Sequence, residues 1–260
     1  MSAPDKLEAT MKTSKAPAIA RAAAVMRLLS NSETPMSLQA ISRELGLVPS
    51  TCLYVLRALV EEELAGFDPA TKRYELGPGV LTLARNRLRR DPFAELAQPM
   101  LDGLAARLGM TALGVEIAGL DHIVAVAVSE GRGNFRLSTE VGSRFPALIS
   151  ATGRCIAAFG DYPRDRLLAR FEKLRWDNPP DFEVWLQQVE QSREYGYAVD
   201  AGHYIAGVTV IAAPVCRGSG RPSHALVCTG LDRSFAEPGV AHVGQTIREA
   251  ADELTAQLRS

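Results

Sequence analysis

The sequence contains no apolar run long enough to span a bilayer, and its N-terminus lacks the apolar core of a signal peptide. Cysteine is scarce: the 260 residues include four, and none shows CxxC spacing, which favours reduced thiols over disulfides or metal ligands. The four histidines also lack the spacing of a metal motif. These absences predict a cytoplasmic protein with no membrane anchor, metal or cofactor.

Signatures of common enzyme classes are missing as well. The chain has no GxSxG, no HExxH, no phosphate-binding P-loop and no Rossmann fingerprint. Cys155 offers an alternative, because it follows Gly153 and Arg154 near the start of a predicted helix, where reactive thiols occur. No histidine or acid is spaced to activate it. We therefore expect a buried structural thiol and no enzyme activity, with a Cys155 nucleophile as the alternative.

The net charge is small, at -1, but it is unevenly distributed. Residues 1–90 carry 13 Lys and Arg against 9 Asp and Glu, whereas residues 91–260 carry 16 against 21. This split suits an N-terminal part that contacts nucleic acid and a C-terminal part with another role. Hydrophobic residues make up 47% of the chain, which is ordinary for a globular protein of one large or two modest domains.

The most informative stretch is residues 36–59, MSLQAISRELGLVPSTCLYVLRAL. Leu38, Ile41 and Leu45 recur at helical spacing, and Gly46 follows them, where a left-handed residue can end a helix. The letters PST then begin a second helix. Two short helices joined by a glycine turn form a helix-turn-helix, whose second helix enters the DNA major groove. On its own, the pattern fits a structural helical hairpin equally well.

The second helix has a predicted apolar side and a predicted polar side. The apolar side comprises Leu53, Leu56, Leu59 and Val60. The outward side chains are expected to contact base edges or nearby phosphates, and Arg57 best suits a bidentate guanine contact. These outward residues are Ser50, Thr51, Tyr54 and Arg57.

A strand–turn–strand pattern, GFDPATKRYELG, follows at once. Its turn is Asp-Pro-Ala-Thr at 68–71, and Lys72 and Arg73 lie at its far shoulder, where a wing would place them beside DNA phosphates. A helix-turn-helix followed by a basic hairpin is typical of a winged helix, which predicts DNA binding. The expected backbone-phosphate contacts are Arg21, Arg43, Lys72 and Arg73.

Periodicity divides the chain into four predicted segments: a flexible arm at 1–16, a winged-helix domain at 17–78, a linker helix at 79–91 and a C-terminal domain at 92–260. Arginines at the end of the linker helix either complement its dipole or belong to a helix through which two subunits pair. In the C-terminal domain, antiparallel-looking groups of strands are bracketed by helices, which predicts an α+β fold with a central antiparallel sheet. The expected strands include 135–139, and the expected helices include 147–159 and 164–174.

Several segments occur in the order typical of one family: AIARAAAVMRLL, the winged-helix stretch, SATGRCIAAF, EYGYAVDAGHYIAGVTVIAAPV and ALVCTGLD. Together they make the chain resemble the IclR-type transcriptional regulators over residues 17–258. The resemblance implies a winged-helix DNA-binding domain, a linker helix and a GAF-like effector-binding domain. It also implies homodimers, often paired into tetramers. Tyr54 departs from the family pattern, which usually has arginine at that place.

The effector pocket is predicted at the start of the helix over 147–159. Backbone amides of Ala151, Thr152 and Gly153 would form a small anion-binding nest. The resemblance implies that the pocket also includes Asp200, Val210, Val227 and Thr229, with His203 at its rim. Apolar walls are expected from Phe135, Leu137, Phe145 and Leu148. A helix N-terminus beside apolar walls suits a small organic acid, such as an aromatic or keto acid.

The sequence therefore predicts a sequence-specific transcriptional regulator that reads a near-palindromic site in double-stranded DNA as a dimer or tetramer. Binding of the effector would modulate its affinity for that site, with the linker helix at 80–90 as the lever. Besides an enzyme, an architectural DNA-binding protein without an effector is the alternative. That alternative leaves the acidic C-terminal domain unexplained.

Overall fold

The computed structural model describes residues 14–131, 139–218 and 220–259, and it forms two compact units with a boundary between Arg90 and Asp91. No helix among these residues combines the length and apolar character that crossing a bilayer requires. Most of the predicted arm at 1–16 and of the strand predicted at 135–139 falls outside the described residues.

The N-terminal unit contains four described helices and a small antiparallel sheet. The helices are α1 (Pro17–Ser30), α2 (Leu38–Glu44), α3 (Pro49–Glu61) and α4 (Gly79–Arg89). The strands are β1 (Met36–Ser37), β2 (Ala65–Asp68) and β3 (Arg73–Leu76), in the order β1-β3-β2. This arrangement is the predicted winged helix. The two-residue strand β1 was not predicted, because it is too short to show a period.

Local chemistry explains the tight turn between α2 and α3. The Ser37 side chain accepts a hydrogen bond from the Ala40 amide at 3.3 Å and so caps α2. Gly46 has a φ of 61°, a left-handed conformation that glycine adopts without steric cost. Pro49 then occupies the first turn of α3, where its missing amide is not needed.

The apolar faces of α1, α2, α3 and the wing share one core. In α3 the fully packed stripe is Cys52, Leu56 and Leu59, spaced i, i+4 and i+7. Leu53, which was predicted to be buried, is half-buried instead. The prediction was wrong there because Cys52, a small hydrophobe, takes the central position on the core side.

The C-terminal unit is an α+β domain with a described six-stranded antiparallel sheet in the order β6-β5-β4-β9-β8-β7. Its strands are β4 (Thr111–Ala118), β5 (His122–Ser129), β6 (Arg144–Pro146), β7 (Ala198–Ala201), β8 (Val208–Cys216) and β9 (Pro222–Leu231). Its helices are α5 (Phe93–Leu108), α6 (Ser150–Phe159), α7 (Arg164–Phe171), α8 (Phe182–Tyr195) and α9 (Val240–Gln257), with a 3-10 turn at Asp232–Phe235. The predicted central antiparallel sheet is confirmed.

Alternation along the strands builds one core on each face of this sheet. Leu113 and Val115 of β4 pack on the side of α6 and α8, whereas Ala112 packs on the side of α5 and α9. Helix α6 is buried on all sides over its first nine residues. It begins at Ser150, three residues later than predicted, because Ile149 has extended backbone angles. Likewise, α7 ends at Phe171 rather than at residue 174.

The start of α5 is fixed by a polar cluster. The Asp91 carboxylate accepts from the Phe93 amide at 3.1 Å, and its other oxygen lies 3.2 Å from His224 Nε2. Arg217 Nη1 lies 3.2 Å from the first of these oxygens. The Phe93 ring stacks on His224 with centroids 4.0 Å apart, and burial lowers the pKa of that imidazole. The cluster therefore anchors α5 to β9.

Candidate nucleic-acid interface and ligand cavity

Helix α3 presents a polar face to solvent. Ser50, Tyr54 and Arg57 are exposed, and their i, i+4, i+7 spacing places them on the same face of the helix. Tyr54 is 71% exposed, so its ring and hydroxyl are accessible to a partner. Thr51 is half-buried beside them. Hydroxyl groups and a guanidinium on one helix face are side-chain types that read base edges in the major groove.

The wing has a rigid tip built around Asp68. Its carboxylate accepts from the Thr71 hydroxyl at 2.6 Å and from the Ala70 amide at 2.9 Å, and these bonds lower the pKa of the carboxyl group. Lys72 follows with a φ of 56°, and its side chain is exposed at the end of the wing. Arg73 is exposed as well, but its Nη1 donates to the Pro35 carbonyl at 2.8 Å. Arg73 thus also ties the wing to the body of the unit.

The other two predicted phosphate contacts differ in exposure. Arg43 has a side chain 79% exposed and lies 3.9 Å from Glu44, an exposed pair of little energetic weight. Arg21 is half-buried on α1. Arg43 is therefore the freer of the two to reach a phosphate.

A cavity lies on the α6 side of the large sheet. Nine of its described lining residues are apolar and five carry hydroxyl groups, and none is charged. The apolar set is Leu113, Val115, Ile123, Phe145, Ile149, Ile205, Val208, Val210 and Val227. The hydroxyl set is Thr139, Ser150, Thr152, Tyr204 and Thr229. A polar ligand here would rely on hydroxyl groups and backbone amides rather than on a cation.

The structure divides the predicted effector residues into three groups. Those that line the cavity are Thr152, Val210, Val227, Thr229 and Phe145. Phe135 and Leu137 lie outside the described residues. Those that do not belong to the cavity wall, as far as the described residues define it, are Ala151, Gly153, Leu148, Asp200 and His203.

Three of these residues are packed against other parts of the chain. Leu148 and Ala151 are buried in the cluster between α6 and the sheet. Gly153 is required by close backbone contact, since a Cβ there would lie 2.1 Å from the Leu148 carbonyl oxygen. Its amide donates to the Ile149 carbonyl at 3.0 Å, so the predicted role of Gly153 in an anion nest is wrong. The first-turn amides that lack a helical partner are those before it.

Asp200 belongs to a buried ion pair instead, and the half-buried His203 lies beside it. Asp200 Oδ1 forms an ion pair with Arg154 Nη1 at 3.0 Å and lies 3.2 Å from His203 Nδ1, and neither contact has hydrogen-bond geometry. The side chains of Arg154 and Asp200 are both fully buried. Burial lowers the pKa of the Arg154 guanidinium, and the Asp200 charge opposes that shift. Arg154 was not predicted, because sequence patterns place arginine at the surface.

The sequence also missed several lining residues. Ser150 is the first residue of α6, and serine at the start of a helix is a signal that the sequence offers. Leu113, Val115 and Val208 follow from strand alternation once the buried face is known. Tyr204 lies in a loop, where no regular spacing of apolar residues indicates which side chains face the cavity.

Cys155 does not have the environment of a nucleophile. Its side chain is fully buried in α6, and its Sγ donates to the Ala212 carbonyl at 3.1 Å. Burial raises the pKa of the thiol to about 12, which leaves almost no thiolate at neutral pH. The thiol packs as a small hydrophobe.

Comparison with known proteins identifies both halves of the chain. Residues 86–256 match the family described as bacterial transcriptional regulator IclR C-terminal, and residues 18–69 match the IclR helix-turn-helix domain. The chain belongs to the IclR family. It is a DNA-binding transcriptional regulator, as predicted, with the winged helix as its DNA-binding part.

Two relatives that are similar to most of this chain are transcriptional repressors. The HTH-type transcriptional repressor AllR of Salmonella typhimurium is 25% identical over 250 residues, covering 94% of this chain and 90% of the relative. The Escherichia coli AllR repressor is 24% identical with the same coverage.

Solved structures share the fold. The IclR transcriptional regulator of Alicyclobacillus acidocaldarius superposes with a TM-score of 0.79 at 28% identity, over 94% of this chain and 100% of that one. An IclR homolog of Microbacterium hydrocarbonoxydans complexed with 4-hydroxybenzoate gives 0.76 at 20% identity, over 93% and 98%. At that identity the second comparison shows the fold alone.

Proposed function

We propose that this IclR-family regulator binds a near-palindromic operator as a homodimer, and that a small organic acid in its C-terminal cavity changes the affinity for that operator. The observation that carries the proposal is the cavity itself. Apolar side chains and hydroxyl groups surround it, and the N-terminus of α6 opens into it. Helix N-termini bind anions through free amides and the helix dipole. The 4-hydroxybenzoate bound to the Microbacterium homolog has this chemistry.

A monocarboxylate with an apolar body fits the lining better than other ligand classes. Without a charged lining residue among those described, the cavity has no counter-ion for a second charge. A neutral apolar molecule would leave the first-turn amides of α6 without an acceptor. The effector residues proposed are therefore Thr152, Thr229, Val210, Val227 and Phe145, together with the amide of Ala151.

Binding of an organic acid is tested on the full-length protein, first by thermal shift and then by titration calorimetry. We expect 4-hydroxybenzoate or pyruvate to raise the melting temperature and to bind with a defined stoichiometry. The neutral analogue 4-hydroxybenzamide serves as the matched control and is expected to bind more weakly. Binding of neutral analogues alone would remove the organic-acid assignment.

On the DNA side, we propose that the exposed face of α3 reads bases and that Lys72, Arg73, Arg43 and Arg21 contact phosphates. Ser50, Thr51, Tyr54 and Arg57 are the reading residues. One such module binds weakly, so two related by a two-fold axis are expected on one operator. Footprinting should show two protected half-sites of inverted sequence. A single protected half-site would contradict the dimer.

The pairing surface proposed lies in the N-terminal unit. Leu81 and Leu83 of α4 are 73% and 60% exposed, and Ile19 of α1 is 71% exposed. A pairing surface would take these apolar side chains out of water. We propose that α4 pairs with its copy, that two dimers associate into a tetramer, and that the protein acts in the cytoplasm. Sedimentation of Leu81→Asn beside the wild type tests the pairing, with monomers expected for the variant.

A further inference from the structure

Ser150 is a strained residue at the polar end of the cavity. Its φ is 59°, and it is the one non-glycine residue with positive φ in the described part of the C-terminal unit. The residue is 5% exposed, and its Oγ has no hydrogen-bond partner among the described residues. Strained backbone and orphaned buried hydroxyls both cost stability, and both cluster at binding sites.

Arg154 holds this strained residue in place. Its Nη1 donates to the Ser150 carbonyl at 2.8 Å, and its Nε donates to Gln188 Oε1 on α8, also at 2.8 Å. Asp200 supplies the counter-charge at 3.0 Å. The guanidinium therefore ties the first residue of α6 to α8 and to β7 at once.

Asp200 also fixes another part of the cavity wall. Its Oδ2 accepts from the Tyr204 amide at 3.1 Å. Tyr204 and Ile205 both line the cavity. One buried ion pair thus holds the backbone of Ser150 and the loop that lies beside the same cavity.

We infer that Ser150 reads the carboxylate of the effector by donating its hydroxyl, and that Arg154 and Asp200 are positioning residues that hold it in its strained conformation. The inference rests on the proposed function, because it takes the effector to be an organic acid in this cavity. It changes the role of Asp200 from a contact residue to a residue that acts through Arg154. It also explains why the cavity needs no cation, since a hydroxyl and the first-turn amides satisfy the carboxylate oxygens.

The decisive variant is Ser150→Gly, which relieves the strain and removes the hydroxyl together. Glycine adopts positive φ freely, so the melting temperature of the C-terminal unit is expected to rise by about 2–4 °C. The Kd for 4-hydroxybenzoate is expected to rise at least about tenfold, because a hydrogen bond to a charged group is lost. Ser150→Ala keeps the strain and loses the hydroxyl, so it should weaken binding equally but stabilise the fold less than Ser150→Gly, because only the unpaired hydroxyl is removed.

The matched control is Glu63→Gly in the other unit. Glu63 has a φ of 57°, and this change should also stabilise its own unit while leaving the Kd for 4-hydroxybenzoate unchanged. If both glycine variants are more stable but only Ser150→Gly binds the ligand more weakly, then the strained backbone at Ser150 serves ligand binding.

The positioning role is tested by a double-mutant cycle with Arg154→Lys. Lysine keeps the charge beside Asp200 but lacks the fork that also reaches Ser150 and Gln188. We expect Arg154→Lys to weaken 4-hydroxybenzoate binding in the wild-type background and to add little in the Ser150→Gly background. Equal losses in both backgrounds would show a general structural effect and overturn the positioning role.

The outcomes separate this inference from the proposed function. Unchanged affinity for 4-hydroxybenzoate in Ser150→Gly and Ser150→Ala overturns the reading role of Ser150 and leaves the effector proposal standing. Failure of the wild type to bind either 4-hydroxybenzoate or pyruvate overturns both. A lower melting temperature for Ser150→Gly than for the wild type overturns the inference that the Ser150 backbone is strained.

Discussion

Removing the Asp200 carboxylate should be among the most damaging single changes in the C-terminal unit. Asp200→Leu leaves the Arg154 guanidinium fully buried, with the neutral oxygens of Ser150 and Gln188 as its closest remaining acceptors. Breaking one partner of a buried pair costs about 3–5 kcal/mol, because the other charge stays desolvated. The lost bond to the Tyr204 amide adds about 1 kcal/mol. The free energy of unfolding should therefore fall by roughly 4–6 kcal/mol.

Replacing both partners should restore most of that loss. In Arg154→Met with Asp200→Leu no charge is buried, and apolar replacements of similar volume are often about neutral in stability. The assay is urea denaturation followed by tryptophan fluorescence. Trp176 and Trp185 are the two tryptophans of the chain and both lie in the C-terminal unit, so the signal reports that unit alone. With an m-value of about 2–3 kcal/mol/M, the midpoint of the single variant should drop by roughly 1.5–3 M.

A matched surface pair provides the control. Arg170 Nη1 lies 2.6 Å from Asp121 Oδ1, with the two side chains 41% and 65% exposed. Asp121→Asn should cost less than about 1 kcal/mol, because solvent screens the pair. The reasoning is refuted if Asp200→Leu costs no more than this control. It is also refuted if the double variant is as unstable as the sum of its singles.

Three further predictions concern DNA reading, thiol ionisation and cavity access. Arg57→Ala should reduce the preference for operator over random DNA by about 1–3 kcal/mol. Lys72→Ala should weaken binding to operator and to random DNA alike, and should lower by about 1 the slope of log K against log salt concentration. Anisotropy titrations at several salt concentrations measure both effects. Burial raises the pKa of the Cys155 and Cys228 thiols to about 12 from 9.0, so the folded chain keeps protons that the unfolded chain loses. The free energy of unfolding should therefore fall as pH rises from 9 toward 12, and Cys228→Ala should flatten that slope in urea titrations. Val210→Phe should fill the cavity and abolish 4-hydroxybenzoate binding in calorimetry while operator binding without ligand persists.

The sequence predicts well those helices and strands whose apolar residues recur at regular spacing. The winged helix follows from helical spacing, a glycine turn and a basic hairpin, all of which are local signals. The antiparallel sheet follows from apolar runs between helices. Leu53 was misplaced because hydrophobic character alone assigned it to the core, whereas the helical spacing of Leu56 and Leu59 puts Cys52 on their side, about 100° away from Leu53.

The cavity is less accessible to sequence reasoning, because its polar end depends on long-range contacts. Arg154 and Asp200 lie far apart in the chain, and only the folded sheet brings their charges together. The strain at Ser150 arises from tertiary packing and has no local sequence signal. The sequence suggests that Gly153 lets the backbone approach a ligand. In the structure, glycine is needed there because the Leu148 backbone lies against it.

Operator affinity with and without a bound acid is the measurement that tests the central claim most directly. The operator duplex found by footprinting is titrated by fluorescence anisotropy, in buffer and at saturating 4-hydroxybenzoate, with wild type and Val210→Phe side by side. We predict that the acid changes the Kd of the wild type by about 5–150-fold and leaves that of Val210→Phe unchanged. An unchanged Kd for the wild type, while calorimetry shows the acid bound, would contradict the account.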